Sequence, residues 1–385
     1  MKILLLTRKD ISYPHKWWAE VVAYNYAKEL VSMWHDVYWV WSWYKWAAKE
    51  EIIDWINIIR IFSLKTIYFL ARHRYISKWK KYNFDIIIDM AQWIPLLSPF
   101  YVKNTPIIFF IHHIWEKERK FEFPFWIWTI FRIMFEMILK LYKNYPTITI
   151  SQSTKSELAE KYNYNKDNIH VIEDTIDFDP IEDIEFDAKE KQITYVWRIS
   201  PIKQVEHIIK IFSEFSKNNP EYKLKIIWKA KSLKYEKTLR DLSETLNSSN
   251  KIQFLGWVSM EERNETLRKS RFCLFTSMKE WYWLVWIEAN ALWTPVIWYK
   301  VPWLVDSIKH WVNWYLVESW DIDAALAVLE ENVDNLIYEK IARSSLKHAH
   351  WLPSWWDNAR KFTTILSLYT KNKQNENINN INNKK

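Results

Sequence analysis

Glycine is almost absent from this sequence, which has one in 385 residues, where ordinary usage of about 7% predicts roughly 27. As printed, the chain has no glycine-rich loop that would let backbone close on a phosphate, and it lacks the usual residue for left-handed turns. Cysteine is as scarce. The one cysteine, Cys273, lies in the apolar run RFCLF and reads as a buried strand residue, so no disulfide framework exists within the chain. That usage suits a reducing cytoplasm. No stretch has the length and apolarity of a spanning helix. The start, MKILLLT, lacks the apolar region and cleavage site of a signal peptide and reads as a first β-strand.

What is abundant is tryptophan, with 28 residues on a chain of formal net charge +8. Indoles stand where a chain needs a turn residue: Trp17-Trp18 in the first loop, Trp34 before His35-Asp36, Trp311 and Trp314 around Val312-Asn313. A bulky side chain takes positive φ only at a cost and blocks backbone approach to a ligand. The simplest account is a UGA codon read as glycine by the organism and printed as tryptophan. A literal reading competes with it. Trp39, Trp41 and Trp43 alternate as on one strand face, and with the basic charge such a ladder suits bases or sugar rings. The tryptophans as a set, however, follow turns and strand ends rather than one face.

Apolar strand runs alternate with helical patterns along most of the chain. In the first half the strand candidates are Ile3–Thr7, Asp36–Trp41, Ile56–Ile61, Asp85–Asp89, Ile107–Ile111, Thr147–Ile150 and His170–Ile172. Continuous apolar strands between helices predict a parallel sheet covered on both faces, with ligands beyond the carboxyl ends of the strands. The loop after Thr7, the His112-His113 pair and Ser151 then share one rim. Glu173 to Lys191 is acidic, carries Pro180 and reads as a linker. A second series runs through Ile193–Val196, Leu224–Ile227, Ile252–Leu255, Phe272–Thr276, Val296–Ile297 and Tyr315–Val317.

The fold class expected is α/β, with two doubly wound Rossmann-like domains facing across a cleft. The expected boundaries are 1–175, a linker at 176–191, 192–350, a helix at 351–369 packing back toward the first domain, and a disordered polar tail at 370–385. The helical pattern at Phe123–Tyr142 carries Arg132, Glu136 and Lys140 in a charged stripe. It reads as a core-packed helix or as an interfacial helix near anionic lipid.

The most informative stretch is Lys279 to Asp306, KEWYWLVWIEANALWTPVIWYKVPWLVD. Glu280 and Glu288 are separated by seven residues, with a short apolar helix starting near Leu284. A helix N-terminus favours anions, and a carboxylate accepts two hydrogen bonds, which suits the diol of a sugar or ribose. The stretch resembles the donor-binding signature of retaining glycosyltransferases of family 4, E-G-F/Y-G-L-x-x-x-E-A followed by G-x-P-V-I. Glu280, Tyr282, Leu284, Glu288, Ala289, Thr294, Pro295, Val296 and Ile297 match in register, while each expected glycine is Trp281, Trp283 or Trp293. Trp257, and one of Trp355 and Trp356, stand where the family often carries true tryptophan.

The segment Trp197-Arg198-Ile199-Ser200-Pro201-Ile202-Lys203 resembles the family's G-R-x-S-x-x-K, whose Arg and Lys hold the donor diphosphate. His112 resembles the histidine that approaches the donor sugar. His15-Lys16-Trp17-Trp18-Ala19-Glu20 resembles the G-G-A-E loop, with both glycines replaced. The resemblance, which covers most of residues 1 to 350, implies a GT-B fold and a metal-independent, retaining hexosyltransferase. The implied catalytic residues are Glu280, His112, Arg198 and Lys203. The donor-binding set is Arg198, Lys203, Glu280, Trp283, Leu284, Val285, Glu288, Trp17 and Trp18.

The expected partners are a nucleoside-diphosphate sugar and a glycan or lipid-linked acceptor, with peripheral contact to anionic membrane at its inner face and no nucleic acid. No cofactor or metal is expected, since the adjacent His112-His113 cannot form a helical ligand pair. Paired carboxylates also allow a glycoside hydrolase. A nucleotide-sugar epimerase on the same fold and a non-catalytic sugar-nucleotide binder or scaffold are compatible with the same residues.

Overall fold

The computed structural model describes residues 1–9, 11–13, 18–61, 66–91, 94–114, 125–182, 189–227, 233–278, 284–300, 314–333 and 335–382. They form two compact units, one of residues 1–174 and 353–385 and the other of residues 175–352.

The first unit holds an eight-stranded sheet, in the order β3-β4-β2-β1-β5-β6-β7-β8. Its strands are β1 (Lys2–Leu6), β2 (Asp36–Trp41), β3 (Glu50–Ile53), β4 (Ile56–Arg60), β5 (Ile86–Ala91), β6 (Ile107–Ile111), β7 (Thr147–Thr149) and β8 (Ile169–Val171). Every pairing is parallel except β3 with β4. All residues of β5 and β6 are buried, as a sheet covered on both faces requires. The helices are α1 (Trp18–Ser32), α2 (Ile67–Ser77), α3 (Phe125–Tyr142) and α4 (Gln152–Tyr162).

Helix α3 has two apolar faces. Phe135, Ile138, Leu139 and Tyr142 are buried, while Ile130, Ile133 and Met137 on the other side stay exposed. Arg132 and Glu136 pair at 3.0 Å along its flank. No described helix is long and apolar enough to cross a membrane.

The second unit is a six-stranded, all-parallel sheet in the order β11-β10-β9-β12-β13-β14. Its strands are β9 (Gln192–Val196), β10 (Lys223–Ile227), β11 (Ile252–Gly256), β12 (Phe272–Phe275), β13 (Val296–Lys300) and β14 (Trp314–Glu318). The helices are α5 (Val205–Asn218), α6 (Leu233–Thr245), α7 (Met260–Lys269), α8 (Leu284–Ala291), α9 (Ile322–Glu331) and α10 (Asn335–His350). Numbered within the unit, the order is 3-2-1-4-5-6, the doubly wound arrangement whose direction reverses between β9 and β12. The expected Rossmann-like sheets are therefore present in both units.

Three elements depart from the sequence reading. The segment read as a linker is tied into the second unit at its end: the buried Lys189 ammonium donates to the carbonyls of Ser270 and Leu292 and to Thr294 Oγ1 at 3.0–3.2 Å. Burial pushes that ammonium well below its usual pKa. The last helix, α11 (Trp355–Asn382), runs on through the stretch expected to be a disordered tail from residue 370. That stretch contains no Gly or Pro to stop it. Its first turns pack in the first unit, where Asn358 Nδ2 donates to the Glu173 carbonyl at 2.7 Å and Phe362 lies 4.9 Å from the Tyr26 ring. The third is the β3–β4 hairpin, of which only β4 was expected.

That hairpin turns on Asp54-Trp55, with φ of 46° and 62°. Positive φ at both central residues is the type I′ turn, which calls for Asp-Gly or Asn-Gly. Among the described residues eleven non-glycine residues have positive φ, and five are tryptophans: Trp34 at 63°, Trp46 at 75°, Trp55 at 62°, Trp293 at 62° and Trp320 at 74°.

Candidate functional site

Ligands of a doubly wound sheet bind beyond the carboxyl ends of its strands where the order reverses. In the second unit that point lies after β9 and β12, and the two loops there are joined by hydrogen bonds. Met278 N–H donates to the Ile202 carbonyl at 3.0 Å. Thr276 Oγ1 contacts the Lys203 and Gln204 carbonyls at 3.1 and 2.8 Å. Tyr195 O–H donates to the Arg198 carbonyl at 3.0 Å.

The sequence explains this loop. Ser200 is extended, Pro201–Lys203 makes one 3-10 turn, and Gln204 takes φ 47° to redirect the chain into α5. No side chain caps α5, so its first N–H groups face outward as a partial positive charge. Arg198 is half-buried and Lys203 buried, both on this loop. Arg198 forms no ion pair among the described residues.

After β12 the chain reaches α8, whose first residues are the buried Leu284 and Val285. Glu288 follows about one turn later, its side chain 12% exposed. Its Oε1 is 3.0 Å from Arg263 Nη2 of α7. Its Oε2 is buried and accepts no hydrogen bond among the described residues. Burial pushes this carboxyl above the usual range and Asp177 adds to that, while Arg263 opposes it. Arg263 is itself fixed by Asn264, whose Oδ1 accepts from Nε at 3.1 Å and Nη2 at 2.8 Å. A buried, half-satisfied carboxylate is costly unless something completes it. Two ligand hydroxyls would.

The second unit thus brings together Arg198, Lys203, Leu284, Val285 and Glu288 on the elements around one switch point. Glu280, Trp283 and Trp17 lie outside the described residues. Trp18 is the first residue of α1.

His112 belongs to the first unit, just past β6. It is 2% exposed, its ring 4.9 Å from that of Phe110. Burial pushes its imidazole down to about 3, against a weaker opposing contact with the Ala91 backbone. It is neutral at pH 7. Ser151 serves as the N-cap of α4, accepting from Thr154 N–H at 3.2 Å, and Glu20 is buried in the first turn of α1. Among the described residues no three His, Cys, Asp or Glu side chains converge as a metal site.

Arg263 escaped the sequence reading. Helix α7, MEERNETLRK, buries only Leu267 and has no apolar period to announce it. Its one legible signal is the capping box, in which Ser259 and Glu262 satisfy each other's backbone N–H.

Residues 19–179 match the model of Glycosyltransferase Family 4, and residues 178–345 match that of Glycosyl transferases group 1. An uncharacterized glycosyltransferase of Methanocaldococcus jannaschii is 26% identical over 256 residues, 58% of this chain and 60% of that protein. The chain thus spans about three fifths of that relative's length. Among solved structures, the sucrose-phosphate synthase of Thermosynechococcus elongatus superposes with a TM-score of 0.74 at 16% identity, over 95% of this chain and 98% of that one. Anabaena HepE in complex with UDP and glucose gives 0.70 at 15% identity, over 95% and 99%. These likenesses establish the GT-B fold, and each half of the chain matches the model of a glycosyltransferase domain.

Proposed function

We propose that this chain, built from two glycosyltransferase domains, is a retaining, metal-independent glycosyltransferase. It moves a sugar from a nucleoside-diphosphate sugar to a glycan or lipid-linked acceptor. The observation that carries the reading is the joined pair of loops after β9 and β12, with Arg198 and Lys203 leading into the uncapped start of α5. As the bond from the sugar to the diphosphate breaks, negative charge gathers on the leaving diphosphate. Fixed cations and helix N–H groups stabilise it without reorganising. Glu288 Oε2 accepts from the donor's ribose, and Glu280 from the hydroxyls of the transferred sugar. His112, neutral at working pH, takes part in hydrogen bonding near the sugar and does not supply a proton. Glycine in place of Trp17, Trp18, Trp281 and Trp283 belongs to the same reading, because indoles would fill the space the donor needs.

A panel of nucleoside-diphosphate sugars, assayed by release of nucleoside diphosphate in the presence of chelator, tests this. Turnover of at least one donor is expected, with the anomeric configuration kept in the product. Binding without turnover would favour a sugar-nucleotide binder. A sugar nucleotide rearranged without transfer would favour an epimerase. Peripheral contact with anionic membrane, through the outward apolar row of α3 and the basic surplus of +8, belongs to the same proposal. It predicts flotation with anionic vesicles and none with neutral ones. Flotation with neither would remove it.

A further inference from the structure

The structure assigns glycine, in the natural chain, to positions 34, 46, 55, 293 and 320. Each of these tryptophans occupies a backbone position that a turn reserves for glycine. Helix α1 ends with Trp34 N–H on the Val31 carbonyl at 2.9 Å and His35 N–H on the Leu30 carbonyl at 3.0 Å. Helix α8 ends alike, with Trp293 N–H on Asn290 at 3.0 Å and Thr294 N–H on Ala289 at 2.8 Å. This bond pair is the Schellman motif, whose left-handed residue is usually glycine and sometimes asparagine.

The chain supplies its own contrast. Helix α6 ends with the same two bonds around Asn247, with φ 54°, and α4 ends on Asn163, with φ 55°. Trp46 and Trp320 are third in turns closed by Ala47 N–H on Tyr44 and Asp321 N–H on Glu318, both at 3.1 Å. With φ near 75°, that place in a turn asks for glycine. Trp55 completes the hairpin as the second half of an Asp-Gly turn. The one printed glycine, Gly256, also has positive φ, 72°. Trp34, Trp46 and Trp55 are 95%, 88% and 82% exposed, so no packing gain offsets their strain.

One codon reassignment explains all five, and it extends to the donor loops with no further assumption. The coding DNA and tryptic peptides of the native protein test it. UGA codons at these positions, with every corresponding peptide lighter by an indole side chain, are expected. UGG codons, or peptides that keep the indole, overturn it.

A second observation, the ion pair between α7 and α8, carries an inference that rests on the function proposed above. We infer that Arg263 is a positioning residue for donor binding. It holds Oε1 of Glu288, so the carboxylate stays ionised and leaves Oε2 for a ribose hydroxyl. The charged groups acting on Glu288 are Arg263 and Asp177. Only Arg263 favours the ionised form.

In the glycine-bearing full chain, Arg263→Met should therefore raise the donor KM increasingly as pH falls from 8 to 6, with kcat little changed. Arg263→Lys should restore most of the parent profile. With a donor whose ribose lacks both hydroxyls, parent and Arg263→Met should have the same KM. A KM change independent of pH and of the ribose hydroxyls, with a lower melting temperature, would reduce the pair to a tie between helices. If the parent turns over no donor, the functional reading falls and this inference with it. A working parent with a flat variant profile removes the Arg263 role alone.

Discussion

Glycine at positions 34, 46, 55, 293 and 320 is expected to turn a chain that folds poorly into one that folds well. A side chain held in the left-handed region costs about 1–2 kcal/mol per residue. Glycine's greater freedom in the unfolded chain returns about 0.4–1 kcal/mol of that. Across the four sites whose indoles are largely exposed, 34, 46, 55 and 320, the net gain is on the order of 3 kcal/mol, against a total stability of roughly 5–15 kcal/mol for a typical domain. The gain falls in both units, since Trp34, Trp46 and Trp55 lie in the first, and Trp320 in the second.

The measurement is soluble yield and denaturant midpoint of the chain as printed, beside one with the five glycines. A higher midpoint in the glycine chain is expected. Equal midpoints would mean the indoles are accommodated and the backbone argument is wrong. Trp34→Gly and Trp320→Gly as single changes sample one unit each, and each should stabilise, because both indoles are largely exposed and both hold a left-handed φ.

The second large effect concerns Arg198. Removing one preorganised group that stabilises transition-state charge typically costs about 10²–10³ in kcat. Arg198→Ala should lose about that much turnover, while its melting temperature stays near the parent's, because Arg198 forms no ion pair among the described residues. Arg198→Lys keeps the charge but not the fork and should recover part of the rate. Undiminished turnover in Arg198→Ala would move the diphosphate away from the β9 loop.

The fold was legible because its strands are buried on both faces. Ile107–Ile111 and Asp36–Trp41 have the bounds the structure gives them, and the other candidates lie within two residues except Val296–Ile297, which stops three residues short of the end of β13. The hairpin was not legible. Its signal is a two-residue Asp-Gly turn, and the printed sequence has Asp54-Trp55 there. Helix α7 was missed because a helix that buries one leucine has no stripe to read. The extension of α11 was missed because composition argues for solvation and says little about helix in a polar stretch without breakers.

The same division holds at the site. Arg198 and Lys203 were readable because they stand between a strand and a helix, where phosphate chemistry is expected. The Arg263–Glu288 pair was not, since it joins residues 25 apart through packing alone. His112 was placed at the strand end, but its burial and neutrality come from packing around β6 that no local pattern encodes.

In the function proposed here, the switch point of the second sheet holds a nucleotide sugar by its diphosphate and its ribose. A crystal structure of the glycine-bearing chain with a turned-over donor, or with its nucleoside diphosphate, tests this most directly. The diphosphate is expected beside Arg198 and Lys203 at the start of α5, with a ribose hydroxyl on Glu288 Oε2. A nucleotide bound elsewhere, with those three side chains out of contact, would contradict it.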